Sequence, residues 1–300
     1  MQNIQFIESS HKYFVDGEEY ISATTLIEKY VPEFEEQYWS QYKAIERIFK
    51  KRYGDSKGQE YFKELKSQRS MHSPGWIDWM CTVELISQET LEQVQQELLK
   101  EWKKENEDSL KKGSEYHALR ETQAYQLGYA ENPFTSKKHG TVKRKSTGKK
   151  INLQNLGPGY YPEIIIWNNE YKIIGTADRV FISMGKGKNP RKQVWVDDYK
   201  TNKAIVKQNP YENMKYPLER LQNCNYSHYR LQLGLYAWMM EQYGYEIKGI
   251  SINHEGVQMK MQYRAIRPMI LKMINHYSGN DLNLLPKAGK YGFSDVHLFS

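Results

Sequence analysis

The densest chemistry in the chain lies in Val194-Trp195-Val196-Asp197-Asp198-Tyr199-Lys200-Thr201. Side chains alternate along a strand, so Asp198 and Lys200 share one face and Asp197 and Tyr199 the other. A carboxylate and an ammonium so spaced at a strand end can hold a divalent cation and a nucleophilic water together; the same spacing also makes an ordinary ion pair. Upstream stands Gly175-Thr176-Ala177-Asp178. The glycine permits a bend or a close backbone approach, and Asp178 belongs to a neighbouring strand. Two carboxylates converging from adjacent strands form an oxygen-rich site for Mg²⁺ or Mn²⁺, although Asp178 alone equally suits a turn cap. Glu163, just after Pro162, is a further acid before the glycine.

His117, in Gly113-Ser114-Glu115-Tyr116-His117, opens a helix with Glu121 one turn beyond. Its imidazole can join the same ion or serve a structural role. Gln232 and Tyr236 lie four apart, on one face of a helix. That spacing suits holding a phosphate, orienting a strand to be cut, or plain packing.

These residues need a sheet and at least two helices to meet. Ile4–Ile7 and Lys12–Val15 read as strands and Asp16-Gly17 as a tight turn, with Tyr20 and Ile21 on the returning strand. Ser22 suits the cap of a short helix ending near Pro32. Phe34 to about Tyr53 is helical in pattern, Gly54–Gly58 reads as a break, and Asp78 to about Leu127 is mostly helical with an interruption at Gly113-Ser114. Strands are expected at Tyr161–Trp167, Glu170–Ile174, Ala177–Ile182 and Gln193–Thr201. A helix is expected over Tyr226–Tyr243, a last strand over Ile247–Asn253, and a closing helix with Pro268 in its first turn. The expected divisions are 1–112 (hairpin and helical elaboration), 113–265 (an α/β core) and 266–300 (a terminal helix and tail).

The chain has 300 residues, 39% of them apolar and 26% charged, and a mean hydropathy of -0.82. That composition is polar but foldable. No apolar run approaches the roughly 20 residues of a membrane helix, and residues 1–10 lack the marks of a signal peptide, so a cytoplasmic protein without a membrane partner is expected. Two cysteines, Cys81 and Cys224, exclude a four-thiolate cluster and fit a reducing compartment. Forty-three basic against 36 acidic residues give +7. Lys137, Lys138, Lys143, Arg144, Lys145, Lys149 and Lys150 equal that whole excess. Lys186, Lys188, Arg191 and Lys192 form a second basic loop. Such loops suit a polyanion such as DNA, or simply solvate the surface.

The ordered set His117, Glu163, Gly175-x-x-Asp178, Asp198-x-Lys200 and Gln232-x-x-x-Tyr236 resembles the RecB-like branch of the PD-(D/E)XK nuclease superfamily, over about Gly113 to Asn253. The segment with His11-Lys12-Tyr13, Thr24-Thr25-Leu26, Trp39 and Lys43-Ala44 is similar to phage-encoded members. The resemblance implies a restriction-endonuclease-like αβββαβ core, a mixed sheet flanked by helices, with a mainly helical N-terminal elaboration. It implies a DNA nuclease dependent on Mg²⁺ or Mn²⁺, foremost an exonuclease acting at DNA ends in recombination, repair or phage DNA processing. A structure-selective endonuclease and a catalytically silent DNA-binding scaffold are the alternatives. His117, Asp178 and Asp198 become metal ligands, joined by the Tyr199 carbonyl. Lys200 orients or helps deprotonate the attacking water, and Glu163 assists. Gln232 and Tyr236 contact DNA or brace the site, and Lys137, Lys138, Lys143, Arg144 and Lys145 grip phosphates. Some relatives carry a four-cysteine iron–sulfur cluster, which this chain lacks the residues to build. With no Walker lysine loop, it is expected to stand alone or to borrow a recombination or replication partner.

Overall fold

A computed structural model describes residues 4–7, 10, 12–70, 73–127 and 153–279. The chain divides into two compact units, residues 1–32 with 113–300, and residues 33–112. The first 32 residues thus belong with the sheet-bearing unit, not with the helical segment as the sequence division had it. Among the described residues no helix is long and apolar enough to cross a membrane.

The first unit is α/β, a mixed sheet flanked by helices. Its strands are β1 (Ile4–Ile7), β2 (Lys12–Val15), β3 (Glu18–Ser22), β4 (Gly159–Asn168), β5 (Ile173–Met184), β6 (Lys192–Lys200), β7 (Glu246–His254) and β8 (Val257–Met261). The sheet runs β1-β2-β3-β5-β6-β7-β8, with β4 also on β5. The β3–β5 and β6–β7 pairs are parallel and the others antiparallel. Its helices are α1 (Ala23–Glu28), the C-terminal part of α5 (Gln88–Gln126), α6 (Asn225–Gln242) and α7 (Tyr263–Tyr277). Ser22 caps α1, its hydroxyl accepting from the Thr25 N–H at 3.0 Å. α6 is buried almost throughout, and its Leu231, Leu233, Leu235, Ala237, Met239 and Met240 join the sheet in one core. In the second unit α2 (Glu36–Tyr53), α3 (Asp55–Gln68), α4 (Trp76–Val83) and the start of α5 surround an aromatic core that includes Tyr42, Phe49, Phe62 and Trp76.

Several boundaries differ from the sequence reading. Glu170–Ile174 and Ala177–Ile182 are not separate strands: β5 runs unbroken through Gly175, because β4 pairs with it from Ile173 to Ile182. The break expected over Gly54–Gly58 is confined to Gly54. Gly58 lies inside α3, where any side chain would strike the Phe49 carbonyl oxygen at 2.6 Å; it is a crossing point with α2, not a helix end. α5 passes Gly113-Ser114 without interruption, since one glycine costs only about 1 kcal/mol among good helix formers. Pro268 lies inside α7 as its sixth residue, beyond the first turn, because the helix starts at Tyr263. A strand was missed after Asn253. Glu255 and Gly256, both at positive φ, make a two-residue turn that pairs His254 with Val257.

β5 is the strand that organises the sheet. β4 occupies one of its edges along almost the whole length, so β3 (at Ile173 and Ile174) and β6 (from Arg179 on) must share the other. Between them, among the described residues, Gly175 to Asp178 face no paired strand on that edge. The burial pattern changes phase in this gap: Gly175 and Ala177 are buried on one side of it, Asp178 and Val180 on the other. Opposite lies Glu163, with φ of 49°, between the paired residues Pro162 and Ile164. A non-glycine residue in the left-handed region costs roughly 1–3 kcal/mol.

Gly175 lets the Tyr236 ring of α6 lie on the β5 backbone, and an added Cβ would meet Tyr236 Cε1 at 2.5 Å. Gly175→Ala is therefore expected to destabilise the fold by about 2 kcal/mol. Urea unfolding checks this, and an unchanged midpoint would contradict the packing described.

Candidate active site

The gap in β5 is where the candidate residues gather. His117 reaches it from α5, and its Nδ1 lies 3.3 Å from Asp178 Oδ2 and 3.5 Å from Glu163 Oε1. One ligand atom from each of the three lies within 4.8 Å of the others. Both carboxylates are buried, while the imidazole is half-exposed. Glu163 and Asp178 stand side by side because they occupy facing positions on β4 and β5, between the pairs Pro162–Arg179 and Ile164–Ala177.

Asp178 has a second task. Its Oδ2 accepts the Tyr199 N–H at 2.6 Å, just past Arg179–Asp197, the last residues paired between β5 and β6. The carboxylate takes the place of a ladder carbonyl where the two strands part. Tyr199 is thus tied to Asp178 by a hydrogen bond from its backbone N–H.

Asp198 and Lys200 share a face, as alternation requires. Asp198 is 2% exposed, and its Oδ2 lies 2.5 Å from Lys200 Nζ. That ion pair is the contact Oδ2 makes among the described residues. Asp198 is not one of the three residues whose ligand atoms lie within 4.8 Å of one another; Glu163 is. The ammonium donates to Gln232 Oε1 at 3.2 Å and lies 4.4 Å from the Tyr229 ring centroid. Gln232 in turn donates to the Tyr236 hydroxyl at 3.2 Å. Tyr236 is 3% exposed and lies within the core. Gln232, half-buried, spends its bonds on Lys200 and Tyr236.

On the other face Arg179 donates through Nε and Nη2 to Asp197 Oδ2 at 2.9 and 2.6 Å. The Ser251 hydroxyl donates to Asp197 Oδ1, and Gln258 Nε2 to that hydroxyl at 2.9 Å. This row ties β5 to β6, β7 and β8 beneath the site.

The charges hold one another. Burial disfavours the imidazolium, but hydrogen bonds to Asp178 and Glu163, and their charges, push His117 up to about 10. Burial, then the charge of Asp198, pushes Asp178 up to about 8, against the pull of His117. Burial works against the Lys200 ammonium too, yet Asp198 and Asp178 hold its pKa above the ordinary lysine value. Two carboxylates and an imidazole converging in this way form a donor set suited to a hard divalent cation.

Lys137, Lys138, Lys143, Arg144 and Lys145 lie outside the described residues. In the second basic loop Lys186, Lys188 and Arg191 are exposed, while Lys192 donates to the Gln154 carbonyl at 2.9 Å. The sequence reading missed Arg120 and Arg179, which line a cavity of about 340 Å³ together with the cluster and Tyr160. Arg120 follows His117 by three residues on one helix face, and Arg179 follows Asp178 directly; those spacings were the available signal.

The sequence matches no model of a known protein family, and no curated protein matches it.

Removing the Lys200 charge leaves Asp198 buried without a counterion. Lys200→Met is expected to destabilise the protein by about 3 kcal/mol, and Asp198→Asn combined with it to recover part of the loss. Denaturant titration of both variants checks this; equal stability of wild type and Lys200→Met would refute the pairing.

Proposed function

We propose that the chain is a divalent-metal-dependent DNA nuclease of the RecB-like PD-(D/E)XK type, acting from DNA ends in the cytoplasm. The observation that carries the reading is the convergence of His117, Glu163 and Asp178 beside the buried Asp198–Lys200 pair. The succession α5, β4, β5, β6, α6, β7 supports reading the core as the αβββαβ of restriction-endonuclease-like proteins. His117, Glu163 and Asp178 would hold the Mg²⁺ or Mn²⁺. Such an ion polarises a phosphoryl oxygen and lowers the pKa of a bound water.

The chain's own residues do the rest. Lys200, held as an ammonium, does not serve as the base; it offsets negative charge on the phosphate and orients the water. Asp198 fixes that ammonium, and Gln232 limits its rotation. Tyr236 and Gly175 keep α6 against β5, so that Gln232 and Lys200 stay in register with the cluster.

Purified protein with Mg²⁺ is expected to degrade end-labelled linear DNA, to be stopped by EDTA and to leave a closed circular plasmid intact. Asp198→Asn is expected to lower cleavage about a hundredfold or more while DNA binding persists. Cleavage by this variant at the wild-type rate would overturn the assignment. Cutting of the closed circle would move the reading to an endonuclease, and no cleavage of either substrate to a DNA-binding protein.

Metal binding carries its own pH dependence. With His117 raised to about 10, the imidazole is protonated at neutral pH and must lose its proton to bind an ion. Asp178, raised to about 8, must lose its proton as well, so Mn²⁺ affinity is expected to rise by up to about a hundredfold per unit between about pH 6 and pH 8. Calorimetric titration at several pH values measures it. Affinity that is flat or falling over that range would exclude His117 as a ligand.

A further inference from the structure

The cavity beside the cluster contains a cation that the proposed metal chemistry does not use. The cluster itself lines it, together with Tyr160, Pro162, Tyr199 and the α5 face that carries Arg120, Glu121 and Leu127. Two guanidinium groups reach it, and they differ. Arg179 is committed to Asp197 through two nitrogens. Arg120 gives Nη1 to Gln123 Oε1 at 3.1 Å and holds its Cζ 4.9 Å from the Tyr199 ring centroid. Its Nε is buried and, among the described residues, meets no hydrogen-bond acceptor.

A buried guanidinium N–H without an acceptor is costly. The cation–π contact with the Tyr199 ring helps hold the Arg120 guanidinium in place, and a planar fork suits two oxygens of one phosphate. Arg120 sits one helical turn from His117, so a phosphate on it would lie next to the cluster. The cavity volume of about 340 Å³ lies near the lower end of small-ligand pockets and suits one nucleotide rather than a duplex. Leu127 and Tyr160 supply apolar surface for a sugar and base.

The geometry points to Arg120 as a phosphate-binding residue and to this cavity as the seat of a single nucleotide at a DNA end. The inference rests on the nuclease reading for its DNA substrate. It narrows that reading: the site receives a terminal nucleotide, held by its phosphate, beside the bond to be cut.

The test is calorimetric titration of 5′-dAMP, 3′-dAMP and deoxyadenosine into the full chain, with and without Mn²⁺. At least one dAMP isomer is expected to bind, and deoxyadenosine to bind at least about tenfold more weakly. Arg120→Gln is expected to weaken the nucleotide about tenfold, and Arg120→Lys, which keeps the charge but loses the fork, about threefold. Binding of neither isomer, equal binding of deoxyadenosine, or wild-type nucleotide affinity in both variants would overturn the inference. The readout needs no cleavage. A protein that cuts DNA but ignores Arg120→Gln loses only this inference, and one that binds nucleotide through Arg120 but never cuts DNA loses only the nuclease reading.

Discussion

The Asp178 carboxylate is the point on which the site depends. It is buried, and a buried carboxylate is tolerated only with partners. Its Oδ2 has two: the Tyr199 amide at 2.6 Å and the His117 imidazole at 3.3 Å. The first lets β5 and β6 separate without leaving an amide orphaned. The second draws α5 to the gap so formed. One oxygen thus couples the splitting of the sheet to the placement of the helix, and the cavity lies where those two features meet.

Around that oxygen the charges alternate. Burial first and the charge of Asp198 second hold Asp178 raised, and each carboxylate has its own cation, His117 at 3.3 Å and Lys200 at 2.5 Å. Glu163 adds a third carboxylate at the cost of a left-handed backbone. Strain of this kind gathers where side-chain direction matters more than local stability. On the proposed reading, a divalent ion would take over the balancing that the imidazolium performs in its absence. Lys200 would remain charged, because Asp198 and Gln232 hold it apart from the cluster.

The supports are equally particular. The row from Arg179 through Asp197 and Ser251 to Gln258 stiffens the sheet under the site. On the α6 side the contact between Gly175 and Tyr236 sets how close the helix lies to β5. Gln232, one turn before Tyr236 on α6, thereby reaches Lys200. Rigid elements, rather than loops, carry the cluster and its neighbours.

Much of this was legible in the sequence because it is local. Alternation along 194–201 put Asp198 with Lys200 and Asp197 with Tyr199. Helical spacing put Gln232 with Tyr236, and the glycine at 175 announced a close approach. Turn chemistry marked the first hairpin, and the same Gly signal at Glu255-Gly256 was there to be used. What the sequence alone could not decide was which atoms share space across strands. Glu163 rather than Asp198 completes the cluster because β4 bends at a residue whose type does not advertise a positive φ. Asp198 turns instead to Lys200, two residues along its own strand. Arg120 enters the cavity because it follows His117 by one turn on the same face of α5. Residue types and periods are properties of neighbours along the chain; partner choice is settled only when distant segments compete for the same buried hydrogen bonds.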